Sequence, residues 1–239
     1  MIVVSTAIGS NSIAIVNGRV VGRDTNTVSS KIDKTEMQDS NSDVLQRLVV
    51  DGKVANISLT AGKESKIIAH LHGECSFDGS EPTLSITKYQ DEILVDVNWY
   101  GNYFSGELFL DIILPSTIFG GIKVLTDSGD ISVDSSVSTT GVLQFNTQSG
   151  DITVDTECGI ILATTMSGDV EVKLRATMES SITLQTMSGD VDITLSKVNL
   201  LTFSSNTMSG KVRNHFQNAN GGHNVTVSAS TMSGDIKVR

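Results

Sequence analysis

The residues with the clearest chemical potential are five aspartates that recur behind glycine in the second half of the chain. They belong to a Ser-Gly-Asp tripeptide, and Lys211 takes the place of the aspartate in one further copy. Stacked carboxylates could collect calcium or another hard cation, or they could accept hydrogen bonds from the amides of a turn. We favour the turn, because calcium-binding nonapeptide repeats supply more ligands per turn. The aspartates are Asp130, Asp151, Asp169, Asp190 and Asp235.

Two histidines and two cysteines are the remaining candidates for metal ligands. His70 and His72 alternate along a predicted strand and share a face, so they could ligate a metal together. No third ligand is apparent, so neither a metal nor a cofactor is predicted. Cys75 and Cys158 lack CxxC partners, which excludes a zinc site made of cysteines. They are expected to be buried, reduced thiols.

Motifs typical of enzymes are missing from the sequence. It contains no P-loop, no GxGxxG and no recognisable triad motif around a histidine. We therefore predict no catalytic residues and no enzymatic activity. A carbohydrate-active β-helix enzyme is the alternative, but it needs carboxylates that converge in a groove. Here the acids are instead expected to line up along a corner.

Methionines and aromatic residues supply the candidate interaction surface. Four methionines stand two residues before the repeated glycine, on the strand face directed away from the core. They could form a soft contact surface or pack beneath neighbouring segments. The aromatic segment 99–104 could contact a partner or plug a junction, and we favour the plug. The candidate surface residues are Met166, Met187, Met208, Met232, Trp99, Tyr100 and Tyr103.

These residues are positioned by a repeat, which is the strongest signal in the sequence. The turn glycines follow one another at steps of 21, 18, 21, 21 and 24 residues. Threonine always stands three residues before the glycine and serine one before it, whereas Ile or Val stands two after it. An apolar residue always stands seven before it. The glycines are Gly129, Gly150, Gly168, Gly189, Gly210 and Gly234.

The spacing within one copy predicts a strand, a tight turn and a second strand. Residues seven, five and three positions before the glycine share one face of the first strand, and residues two and four positions after it share one face of the second. The inward-facing positions change from odd to even offsets at Ser-Gly, where the chain must turn. Glycine is required there if the turn has positive φ. A unit of about 21 residues cannot bury its own apolar face, so identical units must stack. We therefore predict an all-β, single-stranded parallel β-helix (solenoid) with an N-terminal β-strand cap.

The first half of the chain lacks the repeat but continues to show strand patterns. Residues 12–21 predict a hairpin with Asn17-Gly18 at its tip, and polar residues 23–43 predict a linker or loop. Further strands are expected between residues 48 and 114. The predicted domains are an N-terminal hairpin and linker (1–43), a β cap leading into the solenoid (44–121) and the repeat solenoid (122–239).

Composition limits the partners. The formal net charge is −10, which argues against nucleic acid and against an anionic membrane surface. No apolar stretch approaches the length of a membrane span, and the N-terminus lacks the basic region of a secretory signal. We therefore expect a cytoplasmic protein whose partner is an unidentified protein or carbohydrate, with a homo-oligomer as a further option.

The strands, the segment Leu-x-Leu-Asp-Ile-Ile-Leu-Pro-Ser-Thr-Ile-Phe (108–119) and the iterated Thr-x-Ser-Gly-Asp together resemble the bacterial DUF4097 family of proposed adhesins. That family is related to head domains proposed for autotransporter adhesins, and the resemblance covers roughly residues 44–239. It implies a β-helix-like solenoid, supplies no catalytic residues and adds the cell surface as an alternative location. We predict a non-enzymatic, adhesin-like interaction protein of unknown ligand, with a self-assembling structural module as another alternative.

Overall fold

Strands form the whole regular structure of the described part of the chain. The computed structural model describes residues 7–8, 11–12, 14–16, 19–21, 28–40, 46–101, 104–115, 119–218 and 221–239, with side chains from residue 28 onward. Every regular element in these ranges is a β-strand, so the predicted all-β class is confirmed there. The same ranges contain no helix long and apolar enough to cross a membrane.

The structure has the following strands in chain order: β1 (Ala7–Ile8), β2 (Asn11–Ser12), β3 (Ala14–Val16), β4 (Arg19–Val21), β5 (Val28–Asp39), β6 (Arg47–Asp51), β7 (Asn56–Ala61), β8 (Lys66–Phe77), β9 (Thr83–Lys88), β10 (Glu92–Asn98), β11 (Phe104–Leu114), β12 (Phe119–Leu125), β13 (Ile131–Val133), β14 (Thr139–Asn146), β15 (Ile152–Thr156), β16 (Ile160–Thr164), β17 (Val170–Arg175), β18 (Ser180–Ser188), β19 (Val191–Ser196), β20 (Val198–Ser209), β21 (Val212–Asn214), β22 (His223–Ser233) and β23 (Ile236–Val238).

Two large sheets face each other and enclose one core. One has nine strands in the order β20-β22-β18-β16-β14-β12-β6-β10-β9, and the other has ten in the order β21-β23-β19-β17-β15-β13-β7-β11-β8-β5. Strands before a repeat turn lie in the first sheet, and strands after it lie in the second. We call such a pair of strands a layer. Alternation sends every second side chain inward, as Ile152 and Val154 do in β15.

Like positions of neighbouring layers lie over one another, as predicted. Ile152 pairs with Val170 and Val170 with Val191, all in parallel register and all buried. Leu143 and Ile161 pair in the same way in the other sheet. Parallel neighbours lie about 4.8 Å apart, so the apolar positions form continuous rows. This burial of rows between two sheets is the main stabilising contribution to the fold.

The order of the layers departs from the order of the chain at the C-terminal end. From β12 to β19 each new layer stacks on the previous one. The last layer, β22 with β23, is then inserted between β18–β19 and β20–β21. The fifth copy is therefore the outermost layer, and its Val212 is 44% exposed, whereas its equivalents in the other copies are buried. Stacking in strict chain order, the simplest expectation for a solenoid, is wrong here.

A similar exchange occurs at the other end, in the half that lacks the repeat signature. β6 and β7 form a parallel layer directly beneath β12 and β13, with Leu48 paired to Ile122 and Ile57 to Ile131. β10 and β11, which come later in the chain, lie outside β6 and β7. Antiparallel strands β9, β8 and β5 complete this end of the two sheets. The predicted boundary between cap (44–121) and solenoid (122–239) stays a prediction.

The predicted linker at residues 23–43 is wrong over most of its length. Residues 28–39 form the twelve-residue strand β5, which pairs antiparallel with β8 along its whole length. Its polar sequence suits a sheet edge, since charged side chains discourage pairing with other chains. The predicted N-terminal hairpin is present as β3 and β4, in which Ala14 pairs with Val21 and Val16 with Arg19. Its tip at 17–18 lies outside the described residues.

Candidate interaction surface

The Ser-Gly-Asp turns stack into one edge of the molecule, and their aspartates join the layers. Each turn aspartate accepts, at Oδ1, the backbone N–H of the turn residue in the next layer, at 2.7 or 2.8 Å. Asn56 begins this aspartate column by accepting the N–H of Asp130, and Lys211 ends it. The backbone N–H of Lys211 holds the pKa of the Asp235 carboxyl below its ordinary value. The aspartates thus accept turn amides, but each amide belongs to the turn of the neighbouring layer and not to the aspartate's own turn.

The turn glycines are required by the close approach of successive layers. A Cβ atom on Gly150 would collide with the carbonyl oxygen of Gly129, and the same conflict recurs at the other five turn glycines. Positive φ, which the sequence suggested as the reason, holds at Gly168, Gly189 and Gly234. Stacking is therefore the more general cause. Threonine hydroxyls strengthen the same contact, as Thr147 Oγ1 donates to the Gly129 carbonyl at 3.1 Å.

The four predicted methionines form one continuous exposed row. Because of the layer exchange, Met187 lies beside Met232 and Met232 beside Met208, and Met166 precedes them in the stack. In the chain Met208 comes before Met232, but in the stack it lies one layer further out. Their exposed fractions are 50% for Met166, 47% for Met187, 49% for Met232 and 77% for Met208. We call these residues the methionine row.

The same column becomes polar in the layers beneath the methionine row. Gln148 and Asp127 occupy the equivalent positions, and the Gln148 side-chain amide donates to Asp127 at 3.2 Å. Neighbouring layers are about 4.8 Å apart, so four methionines extend over about 14 Å. Large apolar side chains exposed at regular spacing mark a contact surface more readily than scattered ones do.

The aromatic segment divides between packing and exposure. Trp99 is half-buried, packs against the core and meets Phe104 edge-on with ring centroids 5.5 Å apart. Tyr100 is 76% exposed, and Tyr103 lies outside the described residues. The structure does not bring Trp99 or Tyr100 next to the methionine row, since they follow β10, at the far end of the nine-stranded sheet.

Each of the two histidines, His70 and His72, has a carboxylate partner that the sequence did not reveal. His72 Nε2 lies 2.9 Å from Asp111 Oδ2 on β11, and His70 Nε2 lies 2.9 Å from Asp33 Oδ1 on β5. The two imidazole rings stack with centroids 4.6 Å apart. Ser58 donates to the second oxygen of Asp111 at 2.6 Å. Asp111 is therefore a candidate third ligand that was not apparent from the sequence.

The pKa of both carboxyl groups beside the histidines is lowered. Desolvation raises the pKa of Asp111, but hydrogen bonds from Ser58 and His72 outweigh it and the net pKa is lowered. The hydrogen bond from His70 lowers the pKa of Asp33. Ligand atoms of His70, His72 and Asp111 all lie within 4.8 Å of one another, and this is the one such grouping of three among the described residues. The aspartate column is not part of it.

The cysteines are buried and unpaired, as predicted. Cys75 is 4% exposed and Cys158 is 2% exposed. Burial raises the pKa of both thiols. The Cys158 thiol also donates to the Gly141 carbonyl at 3.3 Å. Both side chains are therefore core components of the described structure.

The cavities found in the described structure are open, and one of about 210 Å³ brings together two carboxyl groups, those of Asp51 and Asp96, beside Lys53. Burial and the charge of Asp51 raise the pKa of Asp96. Another cavity of about 420 Å³ is lined by residues of β5, β8 and β11, and its charged lining residues are Lys31 and Glu74. A glycosidase needs two carboxyl groups on either side of the bond that it cleaves. The cavity of about 420 Å³ supplies one carboxyl group. The cavity of about 210 Å³ supplies two, and Asp51 there is already paired with Lys53 at 2.6 Å.

Comparisons with known proteins place these features in a family. Residues 111–239 match the family model described as Toastrack DUF4097. No curated protein matches the sequence.

Two solved structures share the fold. A proposed cell adhesion protein from Clostridium sporogenes has 11% identity and a TM-score of 0.53, with 87% of this chain and 99% of that chain covered. A proposed adhesin from Bacteroides fragilis has 13% identity and a TM-score of 0.51, with 88% and 98% covered. At such low identity the likeness shows the fold alone.

Proposed function

The chain belongs to the Toastrack DUF4097 family, and from this premise we propose that it is a non-enzymatic, adhesin-like binding protein. Its repeat region is interpreted as a single-stranded parallel β-helix whose strand order is exchanged at the ends, with the N-terminal strands as a cap. Such a scaffold holds surface side chains at fixed spacing, which suits the recognition of an extended partner. The location, cytoplasmic from the sequence or at the cell surface by family analogy, stays a prediction.

The methionine row is the observation that carries this proposal. Four flexible, polarisable side chains, each about half exposed or more, stand on consecutive layers. Methionine adapts to irregular apolar surfaces and is over-used at binding surfaces that accept several partners. Packing within the chain does not require methionine there, because Gln148 and Asp127 occupy the same column in other layers.

The row favours a protein over a carbohydrate as the partner. Sugar rings stack on exposed aromatic faces, and the exposed Tyr89 and Tyr100 both lie away from the row, next to β10. A line of thioethers instead matches aliphatic and aromatic side chains of a protein surface. The net charge of −10 adds selectivity against acidic partners.

Site-specific photocrosslinking in the cells that make the protein tests this proposal. A benzophenone amino acid at Met187 or Met232 should capture one discrete protein, and the same group at Met37 should not. Met37 is a matched control because it is 59% exposed on β5, away from the row. The triple replacement Met166→Gln, Met187→Gln and Met232→Gln supplies the second arm.

The triple variant separates binding from folding. Its midpoint of thermal unfolding should stay close to that of the unmodified protein, since glutamine already occupies this column at Gln148. With a crosslinker placed at Met208, partner capture should then be lost. Equal capture from the row and from Met37, or capture that the triple variant leaves intact, would refute the proposed surface.

End-to-end self-assembly is a second candidate that one observation favours. β20 and β21 are the edge strands of both sheets at the same end of the molecule, and Leu200 and Val212 are exposed there. Edge strands can pair with another chain. Light scattering across a hundredfold range of concentration tests this alternative, because a monomer at every concentration excludes it.

A further inference from the structure

We propose that His70, His72, Asp111 and Asp33 form a binding site for a divalent transition-metal ion of the zinc type. Three neighbouring strands contribute: β8 supplies both imidazoles, β11 supplies Asp111 and β5 supplies Asp33. The inference is independent of the methionine row, which lies on a different sheet. Imidazole nitrogen and carboxylate oxygen are the ligands that zinc takes in proteins alongside thiolate.

Strand geometry explains why these residues converge. His70 and His72 are two positions apart and therefore project from one face of β8, the outer one, because Leu71 between them is buried. Asp111 stands directly opposite His70 in the antiparallel pairing with β11, and Asp33 stands opposite His72 in the pairing with β5. The register of three strands thus brings two histidines and two carboxylates to one patch.

The distances are close to those that a metal ion requires. At the outer limit of 4.8 Å between ligand atoms, an ion equidistant from three of them would lie about 2.8 Å from each. Zinc bonds to nitrogen and oxygen measure about 2.0–2.2 Å, so His70, His72 and Asp111 must each move by less than about 1 Å. The four side chains are 36% to 71% exposed, which leaves room for that movement and an open path for the ion.

A supporting hydrogen bond orients one of the ligands. Ser58 on β7 donates to Asp111 Oδ1 at 2.6 Å, and Oδ2 is thereby directed at His72. Ligating carboxylates in metal sites are commonly held by such outer partners. The two carboxylates also bring negative charge to the patch, which favours a cation over two imidazoles alone. Lys31, two residues before Asp33, is a nearby positive charge that opposes this effect.

A bound ion would join the edge strand β5 to the two strands beside it. β5 has one hydrogen-bonded neighbour, β8, because it is the last strand of the ten-stranded sheet. An ion held by His70, His72 and Asp111 would link β8 to β11, and Asp33, whose Oδ1 lies 2.9 Å from His70 Nε2, would extend the link to β5. Zinc should therefore slow amide hydrogen exchange in β5 and raise the midpoint of thermal unfolding, because binding to the folded state stabilises it.

Zinc titration of the purified full chain by calorimetry tests the site. The expected result is one ion per chain, with binding abolished by the pair His70→Gln and His72→Gln. Ser58→Ala should weaken binding about 10- to 100-fold, the usual effect of removing an outer-sphere partner. The matched control is the pair His215→Gln and His223→Gln, which removes the two other histidines, both exposed, and should leave the affinity unchanged.

Cobalt substitution reports the geometry without relying on stability. Tetrahedral Co²⁺ absorbs visible light strongly, whereas hydrated octahedral Co²⁺ absorbs weakly, so the unmodified chain should become blue and the His70→Gln, His72→Gln variant should not. Asp111→Asn gives a milder second variant should the double replacement unfold the chain. Absence of zinc binding by the folded protein would overturn the proposal, as would an affinity that His70→Gln, His72→Gln and Asp111→Asn all leave unchanged. In either case the histidines serve only as hydrogen-bond partners of the two aspartates.

Discussion

The carboxylate oxygen Oδ1 of Asp235 accepts the backbone N–H of Lys211 at 2.8 Å, although Lys211 precedes Asp235 by 24 residues. In every other pair of the aspartate column, the accepting residue comes earlier in the chain than the donating amide. The reversal follows from the insertion of β22–β23 between β18–β19 and β20–β21. The C-terminal segment is thereby held between two layers.

Engineered disulfides should detect this exchange of layers. Thr183 pairs with Ser228 in the structure, whereas Ser204 lies one layer further out. Two cysteines at Thr183 and Ser228 should oxidise to a disulfide, because Cα atoms of paired positions lie about 5 Å apart. The pair at Thr183 and Ser204 should not, since about 10 Å separates positions two layers apart. Peptide mapping after mild oxidation distinguishes them, and the opposite result would restore stacking in chain order.

The sequence contains traces of the exchange that periodicity alone could not interpret. Lys211 replaces aspartate in the copy that proves outermost, where no further layer presents an amide to accept. That copy also places polar Ser205 and Asn214 at positions that are apolar in the other five copies. A terminal layer tolerates them because one of its sides faces solvent. The repeat period fixes which positions align, but not which copy lies next to which.

The non-repeating half shows a second limit of inference from sequence. The layer of β6 and β7 uses Ala55-Asn56-Ile57 where a repeat copy has Gly129-Asp130-Ile131, and Asn56 takes over the role of the turn aspartate. Two of the three residues differ, so a search for Ser-Gly-Asp misses this layer. The strands themselves were predictable from alternation, whereas their parallel pairing with the repeats required the three-dimensional fold.

The methionine row and the histidine site also differ in how far the sequence predicts them. The outward direction of Met166, Met187, Met208 and Met232 followed from parity along one strand, whereas the sequence left open whether neighbouring segments cover them, and the structure shows them exposed. The partners of His70 and His72 come from other strands, Asp33 being 37 residues from His70 and Asp111 being 39 from His72. Their proximity depends on the antiparallel register of β5, β8 and β11, which no local pattern encodes.

Replacement of Gly168 by alanine should strongly destabilise the protein. The new Cβ would collide with the Gly150 carbonyl, and φ of +154° at Gly168 is unfavourable for alanine. Strain and overpacking together should cost at least about 2 kcal/mol of unfolding free energy. Ser167→Ala, at the exposed neighbouring position, should cost less than about 0.5 kcal/mol. Urea denaturation measures both, and equal losses would show that the layers do not approach closely at glycine.

Removal of one acceptor from the aspartate column should have a moderate effect. Asp169→Ala leaves the amide of Asp190 without its 2.7 Å partner and should cost about 0.5–1.5 kcal/mol of unfolding free energy. Asp169→Asn keeps an acceptor oxygen and should cost less. Asp155→Ala, at an exposed position of β15, is the control for loss of one surface charge. If Asp155→Ala and Asp169→Ala destabilise the protein equally, the column contributes only charge.

The two thiols should resist modification as long as the protein is folded. Cys75 and Cys158 are 4% and 2% exposed, and burial raises the pKa of each thiol, which lowers the fraction of reactive thiolate at neutral pH. We expect no rapid reaction with a disulfide reagent at pH 7.5 and complete reaction of both in denaturant. Under mild destabilisation Cys75 should react before Cys158. Cys75 lies on β8, near the antiparallel end of the sheets, whereas Cys158 lies between stacked layers of the repeat. Mass spectrometry of the labelled peptides gives the order, and rapid labelling of Cys158 in the native protein would contradict the tight packing of the layers.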